Sequence, residues 1–293
     1  MSLERAKPAL EGLSVADAFG EQLLHAGPAT RELALGERTV ALPSGLRKWM
    51  WTDDTAMAVS IVETLAVHRG IEIDDLTERY ARRYAAEPAR GYGRGAHHVL
   101  SEIGHGVRWD VAAKSVFDGQ GSCGNGGGMR SAPVGAYFCD DLAAVVEHAS
   151  RSAMPTHVHP DGIAGAVAIA VAAARAFAGE RDPRALLEAV VAHTPKGPTC
   201  DGVRRAIAML RAEPITVAAE LGNGSRVLAA DTIPFAIWCA ATNLDNYANA
   251  LWSCASVGGD IDTTCAMAGG IIVGAVGLAG IPADWRAARE PLP

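Results

Sequence analysis

Apolar residues recur at helical spacing along almost the whole chain, and this pattern limits the fold more than any other feature of the sequence. Residues 164–178 form an apolar run that is interrupted only by Gly165 and Arg175. Only residues 38–42 and 107–109 have a strand-like composition, and no hairpin turn links either of them to a partner. We therefore predict an all-α protein, a compact multi-helix orthogonal bundle of ten or more helices.

Helix-breaking residues occur at intervals along the chain, but none of these breaks has the length or composition of a linker between domains. Pro88 and Pro155 interrupt helical runs, and residues 121–128 and 222–224 are short and rich in glycine. A chain of 293 residues is long enough to bury one large core. We predict a single domain over residues 1–293.

Composition and charge argue against several classes of partner. The net charge is −7 without any block of lysine or arginine, so we expect no nucleic-acid-binding patch. No glycine-free apolar stretch is long enough to span a bilayer, so we expect no membrane partner. Residues 1–10 are too charged for a secretory signal, and the six cysteines are scattered without a Cys-x-x-Cys pair. These features predict free thiols and a cytoplasmic location.

Two segments rich in aspartate and threonine lie where a loop is predicted to become a helix. The first is Thr-Asp-Asp-Thr at residues 52–55, and the second is Asp-Ile-Asp-Thr-Thr at residues 260–264. A helix cap needs only one side-chain oxygen, whereas these segments together offer surplus carboxylates that would be costly to bury without counter-ions. Because aspartate and threonine oxygens suit magnesium or manganese better than zinc, we predict a binuclear metallohydrolase with two Mg²⁺ or Mn²⁺ ions.

The densest glycine stretch, residues 121–130, runs into an apolar segment. Backbone N–H groups of so bare a loop can approach an anion closely, which suits phosphate groups, although a flexible connection would have the same composition. The loop lacks the Gly-Lys-Ser/Thr ending of a Walker A loop, and no predicted strand precedes it. We interpret His157, just before the long apolar helix, as a pocket residue that contacts ligand and not as a metal donor.

Four ordered motifs, taken together, resemble the ADP-ribosylglycohydrolase family over nearly the whole chain. They lie at residues 17–20 (Asp-Ala-Phe-Gly), 51–57 (Trp-Thr-Asp-Asp-Thr-Ala-Met), 124–130 (Gly-Asn-Gly-Gly-Gly-Met-Arg) and 258–263 (Gly-Gly-Asp-Ile-Asp-Thr), with Thr156 and His157 between the last two. The resemblance implies an all-helical fold with ADP-ribose or an ADP-ribosylated substrate as its partner. It also implies hydrolysis of the N- or O-glycosidic bond that joins ADP-ribose to a protein side chain or another acceptor.

The resemblance further implies which residues form the site. The implied ligands of the two magnesium or manganese ions are Thr52, Asp53, Asp54, Asp260, Asp262 and Thr263. The diphosphate is expected against the glycine loop, and the implied substrate-binding residues are Asn125, Gly126, Gly127, Gly128, Met129 and His157. The candidate catalytic residues are Asp53, Asp54, Asp262 and Glu21.

The chain departs from the family pattern near its start. Family members commonly carry Gly-Asp-x-x-Gly-x-x-x-Glu, whereas this chain has Ala16 at the first position and Leu24 at the last. Glu21 lies three residues before Leu24, about one helical turn away. Our hypothesis is that the Glu21 carboxylate takes the place of the missing glutamate.

Parts of the same segments match the patterns of other enzyme classes. Asp260-x-Asp262-x-Thr264 has the letter pattern of a haloacid-dehalogenase phosphatase, but no apolar strand precedes it. Prenyl-diphosphate chemistry would need a third aspartate where the chain has Met57. The absence of the glutamate at Leu24 favours a non-catalytic ADP-ribose-binding or structural member of the same fold, which we keep as the alternative.

Overall fold

The computed structural model describes residues 1–42 and 47–293 of the chain. Seventeen α-helices and one short 3-10 helix account for the regular structure of these residues, and no strand occurs among them. The helices are α1 (Leu3–Leu24), α2 (Pro28–Glu37), α3 (Asp53–His68), α4 (Ile73–Ala86), α5 (Arg94–Gly104), α6 (Trp109–Ala112), α7 (Gly126–Met129), α8 (Ala132–Tyr137), α9 (Leu142–Ala153), α10 (Pro160–Phe177), α11 (Pro183–His193), α12 (Pro198–Ala208), α13 (Pro214–Leu221), α14 (Ala229–Ala241), α15 (Tyr247–Ala255), α16 (Ile261–Val276), η1 (Leu278–Gly280) and α17 (Ala283–Ala288).

The prediction of an all-α fold is confirmed, and neither strand-like segment forms a strand. Helix α2 ends at Glu37 because Arg38 adopts a left-handed conformation, and the residues up to 42 have no regular structure. Residues 107 and 108 lead directly into α6. Outside the helices, the described residues form two isolated β-bridges, one between Trp49 and Arg289 and one between Gly124 and Leu228.

Helices α1 and α16 pack closely because their facing residues are small. A Cβ atom on Gly12 would lie 2.7 Å from the Gly269 carbonyl oxygen, and one on Gly269 would lie 2.3 Å from the Ala16 Cβ. At the far end of the contact, a Cβ on Gly20 would lie 2.5 Å from the Cα of Asp262. The small residues therefore bring the end of α1 against the start of α16, where the second aspartate-rich segment lies.

Helix α10 runs through the interior of the protein. It begins with Pro160 at its first position, and the His159 ring accepts a hydrogen bond from the Asp161 N–H. By length and composition this helix could cross a membrane, but 78% of its residues are buried inside the structure, as in the core helix of a globular protein. Its apolar surface is therefore covered by the protein itself.

An aromatic cluster joins elements that are distant in sequence. The Phe19 ring stacks on Trp285 with centroids 4.5 Å apart and meets Trp252 edge-on at 4.9 Å. Trp49 packs against both Phe19 and Trp285. This cluster holds the segment before α3 against α1, α15 and α17, and the hydrophobic core extends from Ala6 to Ala288. The prediction of a single domain over the chain requires contacts of this kind.

Candidate active site

The start of α3 is organised by a buried carboxylate on α1. Both oxygens of Asp17 accept hydrogen bonds: from the Thr52 N–H (2.9 Å) and hydroxyl (2.9 Å), and from the Thr55 N–H (3.1 Å) and hydroxyl (2.6 Å). Thr52 occupies the N-cap position but its own side chain makes no capping bond, so Asp17 satisfies the helix start in its place. Sequence reasoning did not assign Asp17 to the site, although the motif at residues 17–20 contained it.

Residues Thr52, Asp53, Asp54 and Thr55, which we call the first cluster, are all buried. The Thr52 hydroxyl lies 3.0 Å from Asp54 Oδ2. The Asp53 N–H donates to the Arg90 carbonyl oxygen at 2.7 Å, which connects the cluster to the loop before α5. The carboxylates of Asp53 and Asp54 are therefore held at the first turn of α3, where the helix dipole favours negative charge.

Residues Asp260, Asp262, Thr263 and Thr264, the second cluster, lie at the start of α16 and are less enclosed. Asp260 and Asp262 are partly exposed, whereas the two threonines are buried. Asp260 Oδ2 accepts a hydrogen bond from the Asn125 side chain at 2.7 Å, and the Asp260 N–H donates to the Asn223 carbonyl oxygen at 3.2 Å. Asp260 is thus held by two loops rather than by a neighbouring carboxylate.

The structure brings the two clusters together, although 209 positions separate Asp54 from Thr263. The Thr263 hydroxyl donates to Asp54 Oδ2 at 3.5 Å. Burial raises the pKa of Asp54 well above its usual range, and the charges of Asp17, Asp53, Asp262 and Asp260 raise it further. Every predicted metal-binding residue therefore lies in one region, as the sequence-based hypothesis requires.

The other carboxylates of the site show the same response to burial and crowding. Burial raises the pKa of Asp53 well above its usual range, with the charges of Asp262, Asp17 and Asp260 adding to the effect. Burial also raises the pKa of Asp17 to about 7 and that of Asp260 to about 7. Such a group of acids is costly to ionise without a positive charge among them.

Two carboxylate oxygens in this region add to the free-energy cost of burying these acids. Asp54 Oδ1 and Asp262 Oδ1 are buried without a hydrogen-bond partner anywhere in the described part of the chain. A hard cation would satisfy both oxygens, so the donor set fits magnesium or manganese. Within residues 1–42 and 47–293, no group of three or more Asp, Glu, His or Cys side chains is placed to hold a metal ion. The hydroxyls of Thr52 and Thr263 both lie beside Asp54 Oδ2.

Glu21 lies on α1 beside the second cluster. Its carboxylate contacts the His25 Nε2 at 3.0 Å, and its side chain is 22% exposed. Burial, followed by the charge of Asp262, raises the pKa of Glu21. The carboxylate is therefore near enough to Asp262 to feel its charge, and Leu24 is a partly exposed residue one turn further along α1. The hypothesis that Glu21 replaces the missing glutamate stays a prediction.

The glycine loop is required by packing within the protein. It forms the short helix α7, in which a Cβ on Gly127 would lie 2.9 Å from the Gly162 carbonyl oxygen. A Cβ on Gly128 would lie 2.7 Å from the Ile233 side chain. Glycine at these two positions lets the loop rest on α10 and α14, independently of any ligand. The predicted contacts of residues 125–129 with substrate stay a prediction.

His157 lies beneath this loop. A Cβ on Gly126 would lie 3.0 Å from the His157 ring, which is 7% exposed. The His157 Nδ1 is 2.8 Å from the Thr156 hydroxyl. Burial, together with the charge of Arg130, lowers the pKa of His157 to about 3, so the ring is neutral at physiological pH. A neutral ring that supports the glycine loop suits the predicted role of a pocket residue.

Arg130, which sequence reasoning did not assign to the site, ends the glycine loop and is 1% exposed. Its guanidinium donates to the Thr156 hydroxyl (2.7 Å) and the Ser152 carbonyl oxygen (3.1 Å). It also lies over the Tyr80 ring at 4.6 Å from the centroid. No carboxylate of the described residues pairs with it, so this buried cation joins the loop to α4 and α9 through neutral groups. Its place in the 124–130 motif was the available clue.

The chain is similar to several known proteins. Residues 1–291 match the ADP-ribosylglycohydrolase family. ADP-ribosylhydrolase ARH3 of Xenopus tropicalis is 32% identical over 273 residues, which cover 82% of this chain and 77% of that protein. The human protein of the same name is 29% identical over 287 residues, covering 87% and 76% respectively. ADP-ribosylarginine hydrolase Tri1 of Serratia proteamaculans is 25% identical over 291 residues, covering 97% and 75%.

A solved structure described as an ADP-ribosylglycohydrolase-related protein complex has the same fold, with a TM-score of 0.70. It is 24% identical, and the match covers 98% of this chain and 93% of the other. The match to the family over 291 residues, supported by relatives that cover most of the chain, shows that this protein belongs to the ADP-ribosylglycohydrolase family.

Proposed function

We propose that this protein hydrolyses the N- or O-glycosidic bond between ADP-ribose and an acceptor, using two Mg²⁺ or Mn²⁺ ions. The observation that carries the proposal is the meeting of the two acidic clusters, with Asp54 Oδ1 and Asp262 Oδ1 buried and lacking hydrogen-bond partners among the described residues. The names of the relatives, ADP-ribosylhydrolase and ADP-ribosylarginine hydrolase, support the reaction class.

The residues proposed to hold the ions have oxygen donors directed into one region. They are Thr52, Asp53, Asp54, Asp260, Asp262 and Thr263. When bound, divalent cations supply positive charge that polarises a substrate oxygen and lowers the pKa of water. The raised pKa values of Asp53, Asp54 and Asp260 agree with a site whose carboxylates are stable as anions only beside a cation.

The protein itself would orient the substrate and stabilise charge. As positive charge develops at the anomeric carbon, an aspartate of the clusters (Asp53, Asp54 or Asp262) or Glu21 would accept a proton from the attacking water. The raised pKa of Glu21 favours it for this role, because the value is closer to that of an effective general base. Backbone N–H groups of residues 126–129 and the side chain of Asn125 would position the diphosphate and ribose.

The acceptor and the cellular setting are part of the same proposal. The relatives differ in this respect, since one is named for ADP-ribosylarginine and the others only for ADP-ribose. We propose an ADP-ribosylated protein side chain or a small ADP-ribosyl conjugate as substrate. The net charge of −7 supports the absence of a nucleic-acid partner, and we propose a cytoplasmic location without membrane attachment.

A release assay tests the proposal. Peptides ADP-ribosylated on serine or on arginine, and a small ADP-ribosyl conjugate, are incubated with the protein in Mg²⁺, in Mn²⁺ or in EDTA, and free ADP-ribose is measured. We expect release from at least one substrate with metal, and none in EDTA or with Asp53→Ala. Asp75→Asn is the matched control, because Asp75 is a carboxylate near a helix start that pairs with Arg79 and not with the clusters. Release that persists in EDTA would contradict the proposal.

The alternative, an ADP-ribose binder without activity, is supported by Leu24 in place of the usual glutamate. Calorimetry with ADP-ribose in Mn²⁺ separates the two. Binding of ADP-ribose without release from any of the three substrates would favour the binder, and release from any substrate would exclude it.

A further inference from the structure

The segment that leads into α3 is held by an ion pair between residues 200 positions apart. Arg90 and Glu290 have side chains that are 13% and 14% exposed, and Arg90 Nη1 pairs with Glu290 Oε1. Arg90 Nη2 also reaches Glu290 Oε2 at 3.3 Å. Glu290 Oε1 accepts a further hydrogen bond from the Trp51 N–H at 3.0 Å. The Glu290 carboxylate therefore binds the residue just before Thr52.

Arg90 contacts the same segment with the rest of its guanidinium. Nη1 donates to the Trp51 carbonyl oxygen at 3.0 Å, and the group lies over the Trp51 ring with its centre 3.6 Å from the centroid. Nη2 donates to Glu87 at 2.8 Å. The planar arginine guanidinium can stack on an aromatic ring and donate two hydrogen bonds to a carboxylate at once. The lysine ammonium group cannot do both. Arg90 and Glu290 thus enclose the backbone of Trp51 from two sides.

The backbone of Arg90 contacts the first cluster directly. Its carbonyl oxygen accepts the Asp53 N–H at 2.7 Å, which satisfies one of the N–H groups left unpaired at the start of α3. Gly91 follows in a left-handed conformation with φ of 90°, and a Cβ there would lie 3.5 Å from both Asp53 Oδ1 and the Thr52 Cβ. The residue whose side chain holds Glu290 therefore also presents its backbone to two of the proposed cation ligands.

We propose that Arg90 and Glu290 are positioning residues that set Thr52 and Asp53 for cation binding, an inference that rests on the proposed function. Neither side chain is a candidate ligand. Glu290 acts on Thr52 through Trp51, and Arg90 acts on Asp53 through its own carbonyl oxygen. The contrasting possibility is that the pair only anchors residues 288–290 to the protein. Arg289 offers the comparison, because it anchors the same segment to Glu11 of α1 at 2.8 Å without contacting residues 51–53.

The experiment measures Mn²⁺ binding by the electron paramagnetic resonance signal of the free ion, and thermal unfolding in EDTA. The variants are Arg90→Lys and Glu290→Gln, with Glu11→Gln as the matched control for loss of an anchor. Loss of a residue that orients a metal ligand typically weakens metal affinity by about 10- to 100-fold. We expect a loss of that size for Arg90→Lys and Glu290→Gln. Glu11→Gln is expected to bind Mn²⁺ as the wild type does, even if its unfolding temperature in EDTA falls as much as those of the two test variants.

The Mn²⁺ affinities of these proteins distinguish a positioning role of Arg90 and Glu290 from a simple anchor. If the wild type binds Mn²⁺ and both test variants bind it equally well, the positioning role is wrong while the proposed function stands. If Glu11→Gln loses as much affinity as the other two, the segment is only an anchor and the inference is again overturned. A wild type that binds no Mn²⁺ overturns the proposed function as well. Should Arg90→Lys not fold, Glu290→Gln decides, because glutamine keeps one oxygen that can accept the Trp51 N–H while it loses the charge and the second acceptor facing Arg90.

Discussion

The first and second clusters supply the same kinds of oxygen atom but are held in different ways. In the first cluster, Asp17 lies beneath the start of α3 and accepts four hydrogen bonds from Thr52 and Thr55. In the second, Asp260 is partly exposed and is held by Asn125 and a loop carbonyl group. The first cluster is therefore prearranged by a buried carboxylate on a neighbouring helix, whereas the position of Asp260 in the second depends on two loops.

The backbone before each cluster shows the same difference. Gly258 and Gly259 precede Asp260 in left-handed conformations, and a Cβ on Gly259 would lie 2.1 Å from the Asn223 carbonyl oxygen. The first cluster follows Trp51, which is enclosed by Arg90 and Glu290. We conclude that changes around the first cluster should affect both folding and metal binding, and that changes around the second should affect mainly metal binding.

The largest expected effect is the removal of a carboxylate that reaches both clusters. Asp54 lies beside Thr52 and Thr263, whereas Asp262 belongs to the second cluster alone. We expect Asp54→Ala to lose both ions and Asp262→Ala to retain at most one. Each should lower turnover by more than the ~10- to 100-fold cost of losing an outer partner of a metal ligand. Titration with Mn²⁺ measures the number of ions, and circular dichroism should show unchanged helix content. If Asp54→Ala still bound two ions, the expected difference between Asp54 and Asp262 would be wrong.

The next effect concerns the support of the first cluster. Asp17→Asn replaces one acceptor oxygen by an N–H₂ group that faces donors, so buried N–H and hydroxyl groups of Thr52 and Thr55 lose their partner. We expect a loss of about 1–3 kcal/mol in the free energy of unfolding in EDTA. Metal affinity should also fall, by ~10- to 100-fold. Urea titration and Mn²⁺ binding measure the two effects.

The control for Asp17→Asn is Asp161→Asn. Asp161 is also buried and accepts a backbone N–H, that of Thr199, but it lies outside both clusters. The Asp161→Asn variant should have a lower free energy of unfolding than the wild type but the same metal affinity. Equal metal affinities for Asp17→Asn and the wild type would show that Asp17 supports only the fold.

A smaller effect is expected at the support of the second cluster. Asn125→Ala removes the hydrogen bonds that the Asn125 side chain donates to Asp260 and to the Thr232 hydroxyl. Because Asp260 is partly exposed, water can replace the donor that it loses. We expect metal affinity to fall by about 10-fold with a change below about 1 kcal/mol in the free energy of unfolding in EDTA. Asn243→Ala, which removes a partly buried amide that bonds the Cys239 carbonyl oxygen, is the control. A stability loss at Asn125 as large as at Asp17 would remove the distinction between the clusters.

The smallest effect is a dependence on pH. The pKa of Asp260 is raised to about 7, and burial and neighbouring carboxylates raise those of Asp53 and Asp54 well above the usual value of 3.8. Between about pH 4 and pH 7 the metal-free folded protein therefore holds more protons than the unfolded chain, and its free energy of unfolding falls as pH rises. Because cations compete with these protons, the stabilisation by Mg²⁺ should grow over the same range.

Thermal unfolding in Mg²⁺ and in EDTA at several pH values tests this dependence. The difference in Tm between the two conditions should increase by a few degrees from acid to neutral pH. Groups outside the site titrate equally in Mg²⁺ and in EDTA, so their contribution cancels in the difference in Tm. A difference that stays constant or shrinks with rising pH would contradict the assignment of these carboxylates to the cations.

Much of the fold could be predicted because helical periodicity is a local property of the chain. The long apolar run at residues 164–178 became α10, and the surplus acids at residues 52–55 and 260–264 indicated that distant segments meet. The role of Asp17 could not be predicted in the same way, because one aspartate in a helix is usually exposed. Its function depends on the small residues that let α1 approach α16 and place Asp17 beneath α3.

The glycine loop shows where a local interpretation was incomplete. Its composition suggested close approach of backbone to phosphate, which stays a prediction, and a Cβ on Gly127 or Gly128 would also meet α10 or α14. Packing against those helices is a long-range property that no window of the sequence contains. Composition alone therefore did not distinguish a glycine needed by a ligand from one needed by the fold.

The sequence by itself determined the all-α fold, the family motifs and the two segments rich in aspartate and threonine, since periodicity and side-chain chemistry are written in consecutive residues. Only the tertiary structure decided which groups hold those side chains: Asp17 beneath the first cluster, Asn125 beside the second, and the pairing of Arg90 with Glu290. These partners are joined by burial and hydrogen bonds across 35 to 200 positions. Such contacts exist only once the helices have packed.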